Sequence, residues 1–551
     1  MVDAAFTRSA RNPPNLVWGR GGRKALIISA CAMIATPALA PSALAQVQVQ
    51  PLAAPDLFSI SPGPSDLPSD LWQGSSPALA RAVIPLLAQA PLSPAASGLA
   101  RHILLAGANG PDGVGDDADL AAARANILLA LGDAAAAETI TDHTPDLPQK
   151  PALSQVAAEA VLIEGKEDKA CAIGDALVNG RDGVFWLRLR AFCQVRAGQT
   201  APAQLTFDLA QQQGKGPDYD RLMAAVLAGS DGGAPTLDDG LDDALSRKAA
   251  TGDWTTALAT ASPPIAVAVA RDPTATPAAR LAAAARAARF GVPVTDAYGV
   301  ITAIPPDVAS ADQPGPTGEA GLIALANTAA DFTVKEAAIV ALLKRAGDIN
   351  ELQALARLAT PAMDQLAAAK AVLSHPMLFA IAAAAAGDGA AAAAARAEVG
   401  QGAAPPTPLD LALLDALIGA VSGPLQGGAI DALDAAGQAA DEPGRARSGA
   451  AMAYLAALGA PATAQARFDL AGRDLGPSKA PAGRLIALDL AARAGRMGDV
   501  ALYVLLTASE ARPDLAPADR AACIRALDQA GLKADARAFA VEGLLALQTR
   551  P

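Results

Sequence analysis

Aromatic residues are scarce in this sequence: 4 Trp, 4 Tyr and 10 Phe make up 3% of 551 residues. Histidine occurs three times and cysteine four times. Charged residues are 18%, and acids outnumber bases by 55 to 43, for a net charge of −12. Each shortage excludes something. An acidic chain with so few rings has neither the basic footprint nor the stacking platform of a nucleic-acid binder. The lack of β-branched and aromatic runs argues against a large sheet. Beyond the N-terminal region, no apolar run approaches the ~20 residues of a membrane-spanning helix. The longest, Met377 to Ala386, is mostly alanine and reads as a buried helix.

Alanine is what the chain has in abundance, about a quarter of it. Hydrophobic residues are 52% and the mean hydropathy is +0.27, which is too apolar for a disordered chain. Ala and Leu together favour closely packed helices. The expected fold class is therefore all-α.

The N-terminus reads as a secretory signal over residues 1–45. Arg20, Arg23 and Lys24 supply a basic region, and a mostly apolar run follows from Ala25 to Ala35. Ala43-Leu44-Ala45 before Gln46 fits a cleavage site, which places the mature protein in the periplasm. Ile28-Ser29-Ala30-Cys31 resembles a lipoprotein box, but only four apolar residues separate it from Lys24. That is short of the ~7–15 such a segment needs. Pro37 and Pro41 interrupt the run before it could span a membrane.

Three cysteines remain after such a cleavage. Cys171 and Cys193 lie in two helical runs on either side of a turn, Asn179-Gly180-Arg181-Asp182-Gly183, and each is 11 positions from residue 182. In an antiparallel helix hairpin, equal offsets bring two side chains to one height. A Cys171–Cys193 disulfide is therefore expected in an oxidising compartment, the alternative being two buried thiols. Cys523 has no evident partner and reads as a core thiol.

A Pro-rich linker, 46–76, follows the signal. Its apolar clusters Leu57-Phe58 and Leu71-Trp72 could dock it onto the body of the protein. From residue 77 onward the pattern is helix, turn, helix, with a kink expected at Pro85. Gly-Asp pairs recur at 132–133, 252–253, 347–348, 387–388 and 498–499. They suit a left-handed glycine ending one helix and an aspartate capping the next. Gly132, Gly165 and Gly198 are spaced by 33, as are Gly498 and Gly531; Gly387, Gly423 and Gly459 are spaced by 36. These periods are those of two-helix repeats. The expected organisation is a solenoid of stacked helical hairpins, with one repeat region over 77–304 and another over 319–551. A loop at 305–318 separates them, and Gly400 to Pro408 is a weaker boundary.

Two segments carry a family resemblance. Gly198, Ala203, Phe207 and Ala210 match the spacing of the tetratricopeptide repeat, as do Gly459, Ala464, Phe468 and Ala471. The helices concerned read AQLTFDLA and AQARFDLA, identical at six of eight positions. The chain thus resembles an exported tetratricopeptide-like protein with degenerate repeats. Most repeats lack the family's Trp, Tyr and Pro positions, so HEAT-like and other αα-solenoids share the description. The resemblance implies a scaffold that binds proteins.

No pattern of chemistry competes with that reading. His102, His143 and His375 have no second histidine at helical spacing and no cysteine at ligand spacing. There is no G-x-S-x-G elbow, P-loop or dinucleotide fingerprint. The glycines of GPDGVG, Gly110, Gly113 and Gly115, read as a loop. The acidic clusters Asp116-Asp117-Asp119 and Asp238-Asp239 with Asp242-Asp243 read as helix N-termini. No catalytic residue, cofactor or metal is expected. Phe185, Trp186, Arg188 and Arg190 combine residue types common at binding hot spots and form the candidate partner surface. The competing reading of that helix is a core stripe, Phe185, Leu189 and Phe192 at i, i+4, i+7. The expected function is a periplasmic protein–protein scaffold of the cell envelope, by analogy of fold. Alternatives are a non-catalytic wall-associated protein or activator of a cell-wall enzyme, since such superhelices resemble the non-catalytic part of lytic transglycosylases, and a structural envelope protein.

Overall fold

The computed structural model describes residues 56–89, 92–290, 308–400, 406–423, 425–511 and 514–548. The expected signal, its cleavage site and Cys31 lie outside them, as do parts of the segments 46–76, 305–318 and 400–408. The described residues belong to one compact unit, Ala54–Pro551. They hold 26 α-helices, four short 3-10 helices and no strand.

The first helices are α1 (Pro77–Val83), α2 (Pro94–Leu105), α3 (Ala118–Ala130), α4 (Ala134–Asp142), α5 (Pro151–Ile163) and α6 (Glu167–Ala176). Next come α7 (Val184–Arg196), α8 (Thr200–Gln213), α9 (Pro217–Ala228), α10 (Gly240–Ala249), α11 (Trp254–Leu258), α12 (Pro263–Arg271) and α13 (Pro277–Arg289). After the 3-10 turn Val308–Ser310 follow α14 (Gly315–Thr328), α15 (Phe332–Leu343), α16 (Ile349–Ala368), α17 (Pro376–Ala386), α18 (Gly389–Glu398) and α19 (Pro408–Ser422). The last are α20 (Ala429–Gln438), α21 (Glu442–Ala457), α22 (Ala464–Ala471), α23 (Ala482–Arg493), α24 (Met497–Glu510), α25 (Pro517–Gln529) and α26 (Lys533–Ala546). Neighbours in sequence are neighbours in space. α3 packs on α4 and α5, α7 on α8, α12 on α13, α17 on α18, and α25 on α26. This is an all-α solenoid of stacked hairpins, as the punctuation predicted. α13 also packs on α14 and α16.

Proline and glycine explain how so interrupted a sequence folds this way. Pro77, Pro94, Pro151, Pro217, Pro376, Pro408 and Pro517 each sit in the first turn of a helix, where the missing N–H costs nothing. α1 ends at Val83 and gives way to a 3-10 turn through Pro85. Gly132, Gly165 and Gly198 all adopt positive φ, and so do Gly387 and Gly459. Asp133, Asp348 and Asp388 cap the helices after their turns. Gly252 and Gly347, in two of the predicted Gly-Asp pairs, do not take the left-handed conformation, and a third pair departs further. Gly498 and Asp499 lie inside the first turn of α24, the turn residue there being Gly495. Gly498 is small for another reason: a Cβ there would sit 2.5 Å from the Trp72 ring.

That contact belongs to a seam where the ends of the unit meet. α1 and α2 pack on α24, and α2 on α26. The clusters Leu57-Phe58 and Leu71-Trp72 are fully buried, so the N-terminal segment does dock. Gly498 N donates to Leu71 O at 3.1 Å, Ser76 N to Asp499 at 3.0 Å, and Ala95 N to Glu542 at 3.0 Å. Arg520, itself buried, holds the other Glu542 oxygen at 3.0 Å. His102 bridges Asp535 of α26 at 2.8 Å and Asp66 of the N-terminal segment at 3.0 Å.

Candidate functional site

A cavity of about 730 Å3 opens between α3, α5, the turn before α10, the start of α12 and the end of α13. Its floor is apolar, with Leu87, Leu129, Val156 and Ile163. Phe185 and Phe290 add aromatic edges, and the Arg286 guanidinium lies over the Phe290 ring at 4.3 Å. A second cavity of about 630 Å3 adjoins it and shares Leu131, Ile163 and Pro264. It is lined by paired ions, among them Lys166 with Glu164 at 2.6 Å and Arg247 with Asp272. No histidine lines either cavity.

One wall of the first cavity is acidic: Glu159, Asp238 and Asp239. It arises because α10 begins directly on α5. A Cβ at Gly240 would meet Leu162 Cβ at 2.9 Å, so only glycine allows the approach. Gly240 N donates to the Glu159 carboxylate, and Asp239 caps α10 by accepting from Asp242 N at 2.8 Å. Burial, then the charge of Asp239, pushes the Glu159 carboxyl up to about 8. Burial followed by Asp239 and Asp238 pushes Asp242 up to about 7. Asp243 is pushed up to about 6 by burial, against the pull of Arg247 at 2.9 Å. The Arg188 charge acts in the opposite direction on Asp239 and Asp242. Such crowded, poorly solvated carboxyls are relieved by an incoming positive charge.

The predicted residues distribute unevenly. Cys171 and Cys193 form the disulfide, Cα to Cα 5.7 Å. Its register follows from the α6–α7 hairpin. Cys523 is a buried thiol, pushed up to about 12 by burial. The four residues of the candidate partner surface do not form one surface. Trp186 is inside the core against Leu189 and Phe192, because it falls on the face of α7 that packs on neighbouring helices. Arg188 donates to Gly214 O at 3.1 Å and covers the Tyr219 ring at 4.9 Å. Arg190 donates to Arg181 O at 2.9 Å. Only Phe185 reaches the cavity.

The repeat motif likewise divides. Ala203, Phe207 and Ala210 are core residues, whereas Ala464, Phe468 and Ala471 are exposed. His143 bonds the Thr139 carbonyl, and His375 lies 3.5 Å from Glu336. Asp117 and Asp239 cap α3 and α10. Among the described residues no group of His, Cys, Asp and Glu is arranged to hold a metal ion, and no helix is long and apolar enough to cross a membrane. Glu159 was not singled out by the sequence reading. Its signal was there: a lone acid in the otherwise apolar turn Val156 to Ile163. Compared with known protein families, with curated proteins and with solved structures, the chain finds no match.

Proposed function

We infer that the chain is a periplasmic, tetratricopeptide-like scaffold of the cell envelope that holds a segment of a partner protein in the acidic-walled groove. The observation that carries this reading is the groove itself: an apolar floor with an acidic wall on one side, where burial raises the Glu159 and Asp239 carboxyls. That combination suits a segment with apolar side chains and a lysine or arginine. The disulfide fits a chain that matures in an oxidising compartment.

The test is affinity purification of the chain from crosslinked envelopes, beside the variants Asn126→Arg and Gln155→Arg. Both positions are exposed at the groove, so the fold tolerates the change. One stoichiometric protein should be recovered with the native chain and lost with either variant. Recovery of no protein, or of the same protein with both variants, overturns the reading. Sedimentation with purified wall sacculi in place of a protein partner would assign the chain to the wall instead.

A further inference from the structure

Two octapeptides identical at six of eight positions occur in this chain, and the structure buries opposite faces of them. In α8, AQLTFDLA turns Ala203, Phe207 and Ala210 inward; Phe207 is 4% exposed and its ring lies 6.0 Å from Tyr219 of α9. Leu205, on the other face, is 73% exposed. In α22, AQARFDLA is turned the other way. Ala466, the equivalent of Leu205, is 2% exposed, and Phe468 is 73% exposed. The cause is local. α8 starts two residues after its turn glycine, whereas Ala460-Pro461-Ala462 delays α22 until Thr463 caps it. Thr463 also donates to Asp431 of α20, and the small Ala466 lets α22 close down on α20 and α21.

The bare face of α22 is therefore a surface whose covered counterpart is on view elsewhere in the molecule. We propose that the Ala464–Phe468–Ala471 face of α22 docks an amphipathic helix of a partner protein, one that carries an aromatic residue flanked by carboxylates. α9 is the template. It covers Phe207 with Tyr219, set between Asp218 and Asp220. Charge selects the occupant further. Where α8 has Thr206 and Gln212, the α22 copy has Arg467 and Arg473. Arg467 is exposed beside Phe468, and Arg473 borders the same concavity of about 550 Å3, its charge shared with Asp434 at 2.7 Å. Arg467 is thus one exposed positive charge beside Phe468 that α8 lacks, set against Asp469 on the rim of the concavity. A second copy is the poorer occupant: each chain carries −12, and its own α9 is already seated on Phe207. None of these residues lines the groove discussed above, so the proposal stands apart from that reading.

The probe is a fluorescently labelled peptide with the sequence of residues 215–230, KGPDYDRLMAAVLAGS, titrated into the intact chain and read by anisotropy. A single helix face is a small interface, so saturable binding is expected at about 10–100 μM. Phe468→Glu, or Tyr→Ala in the peptide, should weaken it at least ~10-fold, and Arg467→Glu several-fold with a reduced salt dependence. Leu205→Glu, on the exposed face of α8, should leave it unchanged. Matching thermal melts show that the variants are folded; Phe468→Ala replaces Phe468→Glu should the latter melt early. Absence of saturable binding at millimolar peptide overturns the proposal, as does binding that ignores Phe468. Sedimentation showing self-association that Phe468→Glu abolishes would also overturn it, because the occupant would then be a second copy.

Discussion

Arg124 lies fully buried, and its four hydrogen bonds go to main-chain carbonyls. It donates to Leu104 O at 2.7 Å, Ile60 O at 2.9 Å, Phe58 O at 3.0 Å and Ala106 O at 3.3 Å. Its guanidinium also faces the Phe58 ring at 5.3 Å, and burial pushes it down to about 10. One side chain thus ties the docked N-terminal segment to the C-terminal end of α2. Arg124→Met fills the space but leaves buried carbonyls without donors. It should cost about 3–5 kcal/mol, read as a lowered urea midpoint, with Arg124→Lys losing less because an ammonium restores some of the bonds. Gly498→Ala addresses the same docking from the other side. Its methyl would have to displace the buried Trp72 ring, so a loss of about 1–3 kcal/mol is expected by the same measurement. An unchanged midpoint would mean that Trp72 does not sit on α24.

At the scale of the element, the hairpins were largely legible. Glycines 132, 165 and 198 have to be glycine because each takes a positive φ, so their spacing carries the repeat directly. The Cys171–Cys193 pairing was legible for a related reason: a hairpin with a central turn has only one register. The orientation of α22 was not legible. AQLTFDLA and AQARFDLA present two apolar faces each, and which one turns inward is decided by the length of the preceding turn and by Asp431, 32 residues away in sequence. Trp186 was misplaced for the complementary reason, since an aromatic beside two arginines reads the same in a core as at an interface. Glu159 stands out locally as a lone acid between Val156 and Ile163, but its place at a cavity depends on the contact of α10 on α5, which no local pattern encodes. The disulfide yields an element-scale prediction. It closes a loop between residues 22 apart, which in chain-entropy terms is worth about 3 kcal/mol. Cys171→Ser should lower the denaturation midpoint accordingly, and a reductant should lower the native chain to the same value while leaving the variant unmoved.

The seam between the ends is a property of the whole molecule, and one histidine makes it pH-dependent. His102 is pushed up to about 9, first by its hydrogen bond to Asp535, against partial desolvation, and further by Asp66. An imidazole whose pKa is raised by folding stabilises the native state fully below its ordinary value near 6.5. That contribution is then lost as pH rises through about 9. The site is partly open to solvent, so screening reduces the contribution to about 1 kcal/mol. Glu159 acts in the same direction. A carboxyl raised by folding resists ionisation in the native state, so stability falls as pH rises from the ordinary carboxyl value near 4.5 to about 8 and is flat above it. Between them these two groups should weaken the native chain from about pH 4.5 to about pH 9, and two variants separate the sources. His102→Asn should be less stable than the native chain by about 1 kcal/mol at pH 6, and the two should converge at pH 10. Glu159→Gln should already exceed the native chain at pH 6, and by a larger, constant margin above pH 8. Urea unfolding across that range decides the matter. A deficit of His102→Asn that persists at pH 10 would place its role in packing rather than charge, and Glu159 would then be the one of these two groups that sets the pH dependence.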